Sequence, residues 1–314
     1  MCRWRQAANL TADIKNKAPP SHTTGYAKTD GVYAKLWEQT NPKLHKPSSH
    51  RYWNDPNTTW SQRINILKLR WGKFWNKKLA CRYRMRYAAD TKPAHDANCP
   101  ICKQGMDGAG HILAGCKDQQ MKGFYINRHN RAVNIIQTAV SKGALGSSYM
   151  IMDAGKQDEL PDTVHMQRMP DSLRPPNTTT PEIWRKLRPD LVMITGMGAD
   201  ETPTHGMKLH MEMIEVGYCS DTNHEVKLQA KEQQHAQLLT ILRGAGHTAR
   251  YHTITLGTTG TIRQKTLDTL QQLGIALPHA LKTMNKLHQN ATSSVHDIVR
   301  ARRIREWQTV LDTP

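Results

Sequence analysis

Long apolar runs are missing from this chain of 314 residues. None approaches the ~20 residues that span a bilayer, and the N-terminus lacks the apolar core of a signal peptide. The expectation is therefore a chain with no membrane partner, not secreted, and resident in the nucleus or in the cytoplasm before import. Cysteine is scarce too. Of six, three (Cys99, Cys102 and Cys116) crowd beside a histidine, too few and too clustered for a disulfide framework, which favours metal binding over oxidation. Acids are thin at the start: residues 1–90 hold five (Asp13, Asp30, Glu38, Asp55, Asp90) against 18 Lys or Arg. No internal repeat or long low-complexity tract is present, which removes solenoid architectures.

Positive charge is what the chain has in excess. Forty-four Lys and Arg against 26 acids give a net charge of +18, which repels itself unless a polyanion neutralises part of it. DNA, with RNA beside it, is the default partner, and no small-molecule cofactor is expected. Concentration of the charge where apolar periodicity is weakest is the pattern of a binding arm.

Four segments follow from the text. Residues 1–94 form a basic, Trp-containing arm. Its first 58 residues, rich in Pro, Thr, Asn, Ser and His, read as loosely ordered. From Trp60 to Tyr87, Ile64, Leu67, Trp71, Phe74, Trp75 and Leu79 recur at helical spacing with basic residues between them, an amphipathic helix. Arg63, Arg70, Lys73, Lys77 and Lys78 are its candidate phosphate contacts, joined further on by Arg128, His129 and Arg188. Residues 95–126 hold the cysteine cluster. Residues 127–277 carry an α/β pattern: a helix over 128–142, a strand over 148–153, a long Pro-rich loop, strands over 190–195 and 208–219, a helix begun by a Thr222/Glu225 capping box, a strand over 250–256 and another helix, in the order α-β-β-β-α-β-α. Residues 278–314 form two basic helices, over 278–288 and 294–311, whose Arg300, Arg302, Arg303 and Arg305 either touch phosphates or stay solvated.

Cys99-x2-Cys102-x8-His111-x4-Cys116 supplies three thiolates and an imidazole, the ligand set of a closed tetrahedral zinc site. Because all four positions are filled, the metal is expected to be structural, and chelation to unfold residues 95–120.

Chemistry is expected from a pair of acids. If the strands on either side of the Gly-rich loop 196–206 pair antiparallel, Asp190 at the start of one and Glu215 near the end of the other arrive at the same sheet end. Two carboxylates there can hold a hard divalent ion, Mg2+ or Mn2+, and support phosphodiester hydrolysis.

The runs WNKKLA (75–80), CPIC with GHILAGC, RHN (128–130), SKGALG (141–146), RPD (188–190), IEVGYCSDT and KEQQH stand in a fixed order over about four fifths of the chain. In that order they resemble the C-terminal region of non-LTR retrotransposon reverse transcriptases that carry a restriction-like endonuclease. The resemblance implies a PD-(D/E)xK core, α-β-β-β-α-β, preceded by a zinc knuckle and a basic helical arm, and a target-nicking DNA endonuclease with Asp190 and Glu215 as magnesium ligands. The family pattern has a lysine two residues after the second acid, where this chain has Gly217. Lys227 or Lys231, four residues apart and hence on one helix face, are the substitutes to consider. No polymerase-type Tyr-x-Asp-Asp motif is present, so polymerisation is not expected. The alternative is a catalytically inactive zinc-knuckle remnant that binds DNA or RNA.

Overall fold

The computed structural model describes residues 36–72, 74, 97–153, 164–165, 171–175, 180–184, 187–197, 201, 203–204 and 206–311. The chain divides into two compact units, Met1–Gln39 and Thr40–Pro314, and the candidate sites belong to the second. Its principal helices are α1 (Trp60–Arg70), α2 (Gln119–Val140), α3 (His224–Gly244), α4 (Gln264–Gln272) and α5 (Leu277–Leu311). The strands are β1 (Tyr149–Met152), β2 (Val164–His165), β3 (Leu191–Thr195), β4 (His210–Cys219) and β5 (Thr248–Gly257).

The class is α/β. One five-stranded sheet runs in the order β2-β1-β3-β4-β5, with β1–β3 and β3–β4 antiparallel and the two edge pairs parallel. Side chains alternate across a strand, so each face has its own cover. Leu191, Met193, Ile214 and Val216 pack with Ala132, Val133 and Ile136 of α2 and Met284 and Leu287 of α5. Val192, Ile194, Met211 and Met213 pack with Leu238 and Leu242 of α3. The expected antiparallel pairing across the Gly-rich loop is present, and β2 is a two-residue addition inside the long Pro-rich loop. Among the described residues no helix is long and apolar enough to cross a membrane.

Several boundaries differ from the sequence expectation, each for a local reason. Helix α2 starts at Gln119 rather than near Arg128, because the Asp118 side chain accepts the Met121 N–H at 3.1 Å and caps it there. The Thr222/Glu225 box does not form: Asn223 is the N-cap, and Glu225 is held by Arg263 and Lys43. Residues 277–311 are one helix, not two. The expected break has no Gly or Pro, and Thr292 and Ser294 send their hydroxyls back to the carbonyls of His288 and Asn290. Helix α1 ends at Arg70, with Gly72 at φ +64°, and it buries Ile66 and Leu69 rather than Ile64 and Leu67.

Residues 41–58 are not loose. His45 N–H donates to the Ile262 carbonyl at 2.8 Å, Ser49 exchanges two hydrogen bonds with Ile262, and Tyr52 N–H donates to His288 Nε2 at 2.9 Å. The other ring nitrogen of His288 donates to the Gly260 carbonyl at 2.7 Å, so the imidazole is fixed as a neutral tautomer. Burial and then the charge of Arg70 push His288 down to about 3, and burial chiefly takes His224 down to about 4. Both rings stay neutral in the fold while the unfolded chain takes up protons below its ordinary value of 6.5. Their stabilisation is therefore complete above that pH and drains as pH falls towards 4, by about 1 kcal/mol per pH unit for each. Urea unfolding at pH 7.5 and 5.5 checks this: the midpoint is expected to be lower at 5.5, and His288→Gln to flatten the dependence. An unchanged midpoint would count against the neutral-histidine account.

Candidate functional site

The β3–β4 register pairs Leu191 with Ile214, so one step further Asp190 stands opposite Glu215 at the end of the ladder, Glu215 meeting α3 and Asp190 meeting His129 of α2. Both carboxylates are buried. Asp190 Oδ2 accepts the Val216 backbone N–H at 2.6 Å, and His129 Nε2, from α2, lies 3.2 Å from that same oxygen. Burial works to lower the His129 pKa, but the hydrogen bond and charge of Asp190 outweigh it and the net shift is upward.

Glu215 is met from α3. Lys231 Nζ ion-pairs with Oε1, and His235 Nε2 lies 3.2 Å from Oε2 without hydrogen-bond alignment, so Oε2 is buried with no hydrogen-bond partner. Burial acts to raise the Glu215 pKa, but His235 and Lys231 prevail and hold it below the ordinary carboxylate value. The spacing of Lys227, Lys231 and His235 at i, i+4 and i+8 places all three on one stripe of α3. His235 is further fixed by the Tyr251 ring, with centroids 5.1 Å apart.

Gly217 explains how this stripe comes so close. A Cβ at that position would lie 3.0 Å from Lys227 Cε and 3.7 Å from Lys231 Cε. The two lysine stems thus occupy the space that a side chain at 217 would need. What reads in the sequence as a missing lysine is, in space, a strand position over which two helix lysines cross.

The cysteine cluster forms the second site. The ligand atoms of Cys99, Cys102, His111 and Cys116 all lie within 4.8 Å of one another, and among the described residues no other group of three or more His, Cys, Asp or Glu is so placed. Zn–S bonds of about 2.3 Å in a tetrahedron put sulfurs roughly 3.8 Å apart. Here Cys99 and Cys116 are separated by 4.0 Å, and Cys102 Sγ lies 3.3 Å from His111 Nε2. The set can hold a metal such as zinc. Burial and the neighbouring Cys99 push the Cys116 thiol up to about 12, so a cation is what would let these thiolates coexist.

This cluster is anchored from far along the chain. Arg302 of α5 donates to Asp107 at 2.8 Å with both side chains buried, and its guanidinium lies 3.9 Å from Cys99 Sγ. Arg305 pairs with Asp118 at 3.2 Å. Of the four C-terminal arginines, Arg302 is thus an internal tie, while Arg305 keeps a partly exposed side chain beside its ion pair.

The remaining candidate phosphate contacts sort by burial. Arg70 is buried: its guanidinium donates to Ser49 O at 2.7 Å and to Thr259 Oγ1 at 2.9 Å, and lies 4.7 Å from the Tyr52 ring centroid. Arg128 is buried over Tyr218 at 4.3 Å. Neither can reach a phosphate without leaving the core. Arg63 is half-buried and donates to the Asp55 carbonyl at 2.8 Å. Arg188 pairs with Asp153 at the surface. Lys73, Lys77 and Lys78 lie outside the described residues. Arg70→Ala is expected to cost several kcal/mol, as breaking a buried polar tie does, while leaving the salt dependence of any DNA affinity unchanged. A shallower salt slope in that variant would return Arg70 to the nucleic-acid interface.

Sequence reasoning placed Asp190, Glu215, Lys227 and Lys231 in one neighbourhood and set His129 among the phosphate contacts, whereas its ring lies 3.2 Å from Asp190 Oδ2. It missed the buried tie from Arg302 to the knuckle and the Tyr251 ring on His235, contacts between distant segments that leave no periodic trace. No protein-family model matches this chain, and no curated protein matches it.

Proposed function

We propose that the chain is a metal-dependent DNA endonuclease with a PD-(D/E)xK-type core, related to the C-terminal region of non-LTR retrotransposon reverse transcriptases, in which the Cys99–Cys116 set holds a structural zinc. The observation that carries the reading is the pair of lysines crossing Gly217, one of them ion-paired to Glu215. An ammonium beside the second acid is what phosphodiester hydrolysis needs to offset developing charge. Here it comes from α3 in place of β4.

The donor set suits magnesium or manganese. Asp190 and Glu215 are hard oxygen donors at one end of the β3–β4 ladder, and buried Glu215 Oε2 has only His235 Nε2, 3.2 Å away and poorly aligned, beside it. When bound, such an ion polarises a phosphoryl oxygen and lowers the pKa of its water. The side chains do the rest: His129 holds Asp190 in place, Lys231 of α3 ties Glu215 with His235 beside it and Tyr251 of β5 against the His235 ring, and Lys231 or Lys227 neutralises negative charge at the cleaved group. The element order along the chain, α2-β1-β2-β3-β4-α3-β5, with β2 a two-residue strand inside the Pro-rich loop, also supports the reading.

Nicking of supercoiled plasmid in magnesium or manganese, on wild type and Gly217→Lys, tests it. If the α3 lysines serve the site, wild type nicks and the variant does not exceed it, since the new side chain meets Lys227. An inert wild type that gains nicking on Gly217→Lys would favour the catalytically inactive remnant that binds DNA or RNA.

A further inference from the structure

Away from the carboxylates, α2, α5 and the segment leading into α1 enclose a groove of about 620 Å³, the volume of a nucleotide-sized ligand. Five amide side chains stand in its lining, Asn57, Gln62, Asn134, Gln289 and Asn290, on a surface that is otherwise largely apolar. Three of these spend one end on the protein. Gln62 Oε1 accepts the Thr59 N–H at 2.7 Å, Gln289 Nε2 donates to Asp55 at 3.1 Å, and Asn290 Nδ2 donates to Arg128 O at 2.9 Å and Tyr218 Oη at 3.0 Å. The opposite ends, a donor on Gln62 and acceptors on Gln289 and Asn290, are held in fixed orientation. Asn134 Oδ1 is buried with no hydrogen-bond partner.

Charge at the groove favours an anion. Arg131 and Lys286 line it, and Asp55, the one carboxylate there among the described residues, accepts from Gln289 and from the Asn57 N–H at 3.0 Å. Between the lining residues Thr58 and Gln62 in sequence, though not itself part of the lining, stands Trp60. Its side chain is 60% exposed although its ring is supported by Trp53, with centroids 5.9 Å apart. A rigid, solvent-facing indole is a stacking platform, fixed amide ends read the edges of an unpaired base, and two cations suit the flanking phosphates.

We infer that this groove binds single-stranded nucleic acid, receiving an unpaired nucleobase against its amides with the neighbouring base on Trp60. In a duplex the base edges are occupied by pairing, so a blunt duplex cannot fill it. The groove also has a place relative to the acids. Helix α2 carries His129 at the carboxylate pair and Asn134 in the groove, and five residues rise about 7.5 Å along the helix axis. That is roughly the distance between successive phosphates of an extended strand. The inference concerns binding and stands whether or not the carboxylates cut.

Fluorescence anisotropy tests it with the full chain in magnesium-free buffer, using labelled ten-nucleotide DNA and RNA of one mixed sequence and a blunt duplex of the same length. The expected result is at least tenfold tighter binding of a single strand, DNA or RNA, than of the duplex. Trp60→Ala, at an exposed position, and Asn134→Ala, at a half-buried one, are each expected to weaken single-strand binding about tenfold while leaving duplex affinity unchanged. Arg131→Gln keeps the proposal testable should either variant fold poorly, and is expected to act in the same direction. Equal affinity for duplex and single strand, or single-strand affinity untouched in variants with wild-type melting curves, would overturn the assignment. Plasmid nicking plays no part in the readout, so failure here and failure of the nuclease reading are separable.

Discussion

Replacing Asp190 with Ala, or Glu215 with Gln, is expected to lower magnesium-dependent plasmid nicking by roughly 10²- to 10³-fold or more, while DNA affinity stays within a few-fold of wild type. The size follows from what each carboxylate does: losing one oriented electrostatic group from such a site costs about 3–4 kcal/mol of barrier. On the proposed function binding draws on exposed Lys and Arg, so it is expected to be spared, and removing a negative charge near the phosphates works in its favour. The choice of glutamine at 215 matters. The Glu215 and Lys231 side chains are only 4% and 16% exposed, so alanine would leave a buried ammonium unpaired and cost stability of about 3–5 kcal/mol. Glutamine keeps the shape and one acceptor, which separates lost chemistry from lost folding. Lys231→Ala is expected to show a smaller loss than Glu215→Gln, because Lys227 crosses the same glycine. Nicking that persists unchanged in both carboxylate variants would end the assignment of this site.

Removing the metal from the cysteine cluster is expected to have a large effect on folding, and over a wider range than residues 95–120. Cys99, Ile112, Leu113, Cys116 and Met121 share one core with Val295, Ile298 and Val299 of α5 and with Ile66 and Leu69 of α1. The Arg302–Asp107 tie couples the cluster to the last turns of α5. Without the cation, closely packed thiols cannot stay ionised, and apparent binding free energies of structural zinc, about 10–16 kcal/mol, are folding free energy. A chelator, or Cys116→Ser, is therefore expected to erase hydrogen-exchange protection over residues 97–121 and to weaken it over 295–305. The sheet, which has its own core, is expected to keep most of its protection. Exchange that is unchanged around the cluster after verified metal removal would show that the cysteines carry no structural ion.

How the two sites were legible differs in kind. The cysteine cluster could be read directly, since its four ligands lie within one short stretch and the spacing alone brings them together. The acid pair was legible only through a pairing assumption, and it was the β3–β4 register that set Asp190 opposite Glu215. Lys227 and Lys231 were placed on one face by helical periodicity. That they lie over Gly217 depended on α3 packing across β4, which periodicity does not specify.

By itself, the sequence determined the α/β alternation, the metal-ligand set and the excess of positive charge, because period, local spacing and composition are properties of neighbouring residues. Only the tertiary structure decided which charges are free. Arg70, Arg128 and Arg302 read as basic surface, yet each is buried because long-range partners hold it inside: Arg70 a carbonyl and a hydroxyl, Arg302 a carboxylate about two hundred residues away, and Arg128 the ring of Tyr218. The same rule made one helix out of two at the C-terminus and a set of pinned turns out of residues 41–58. In each case the long-range partner, absent from any local window, determined the outcome.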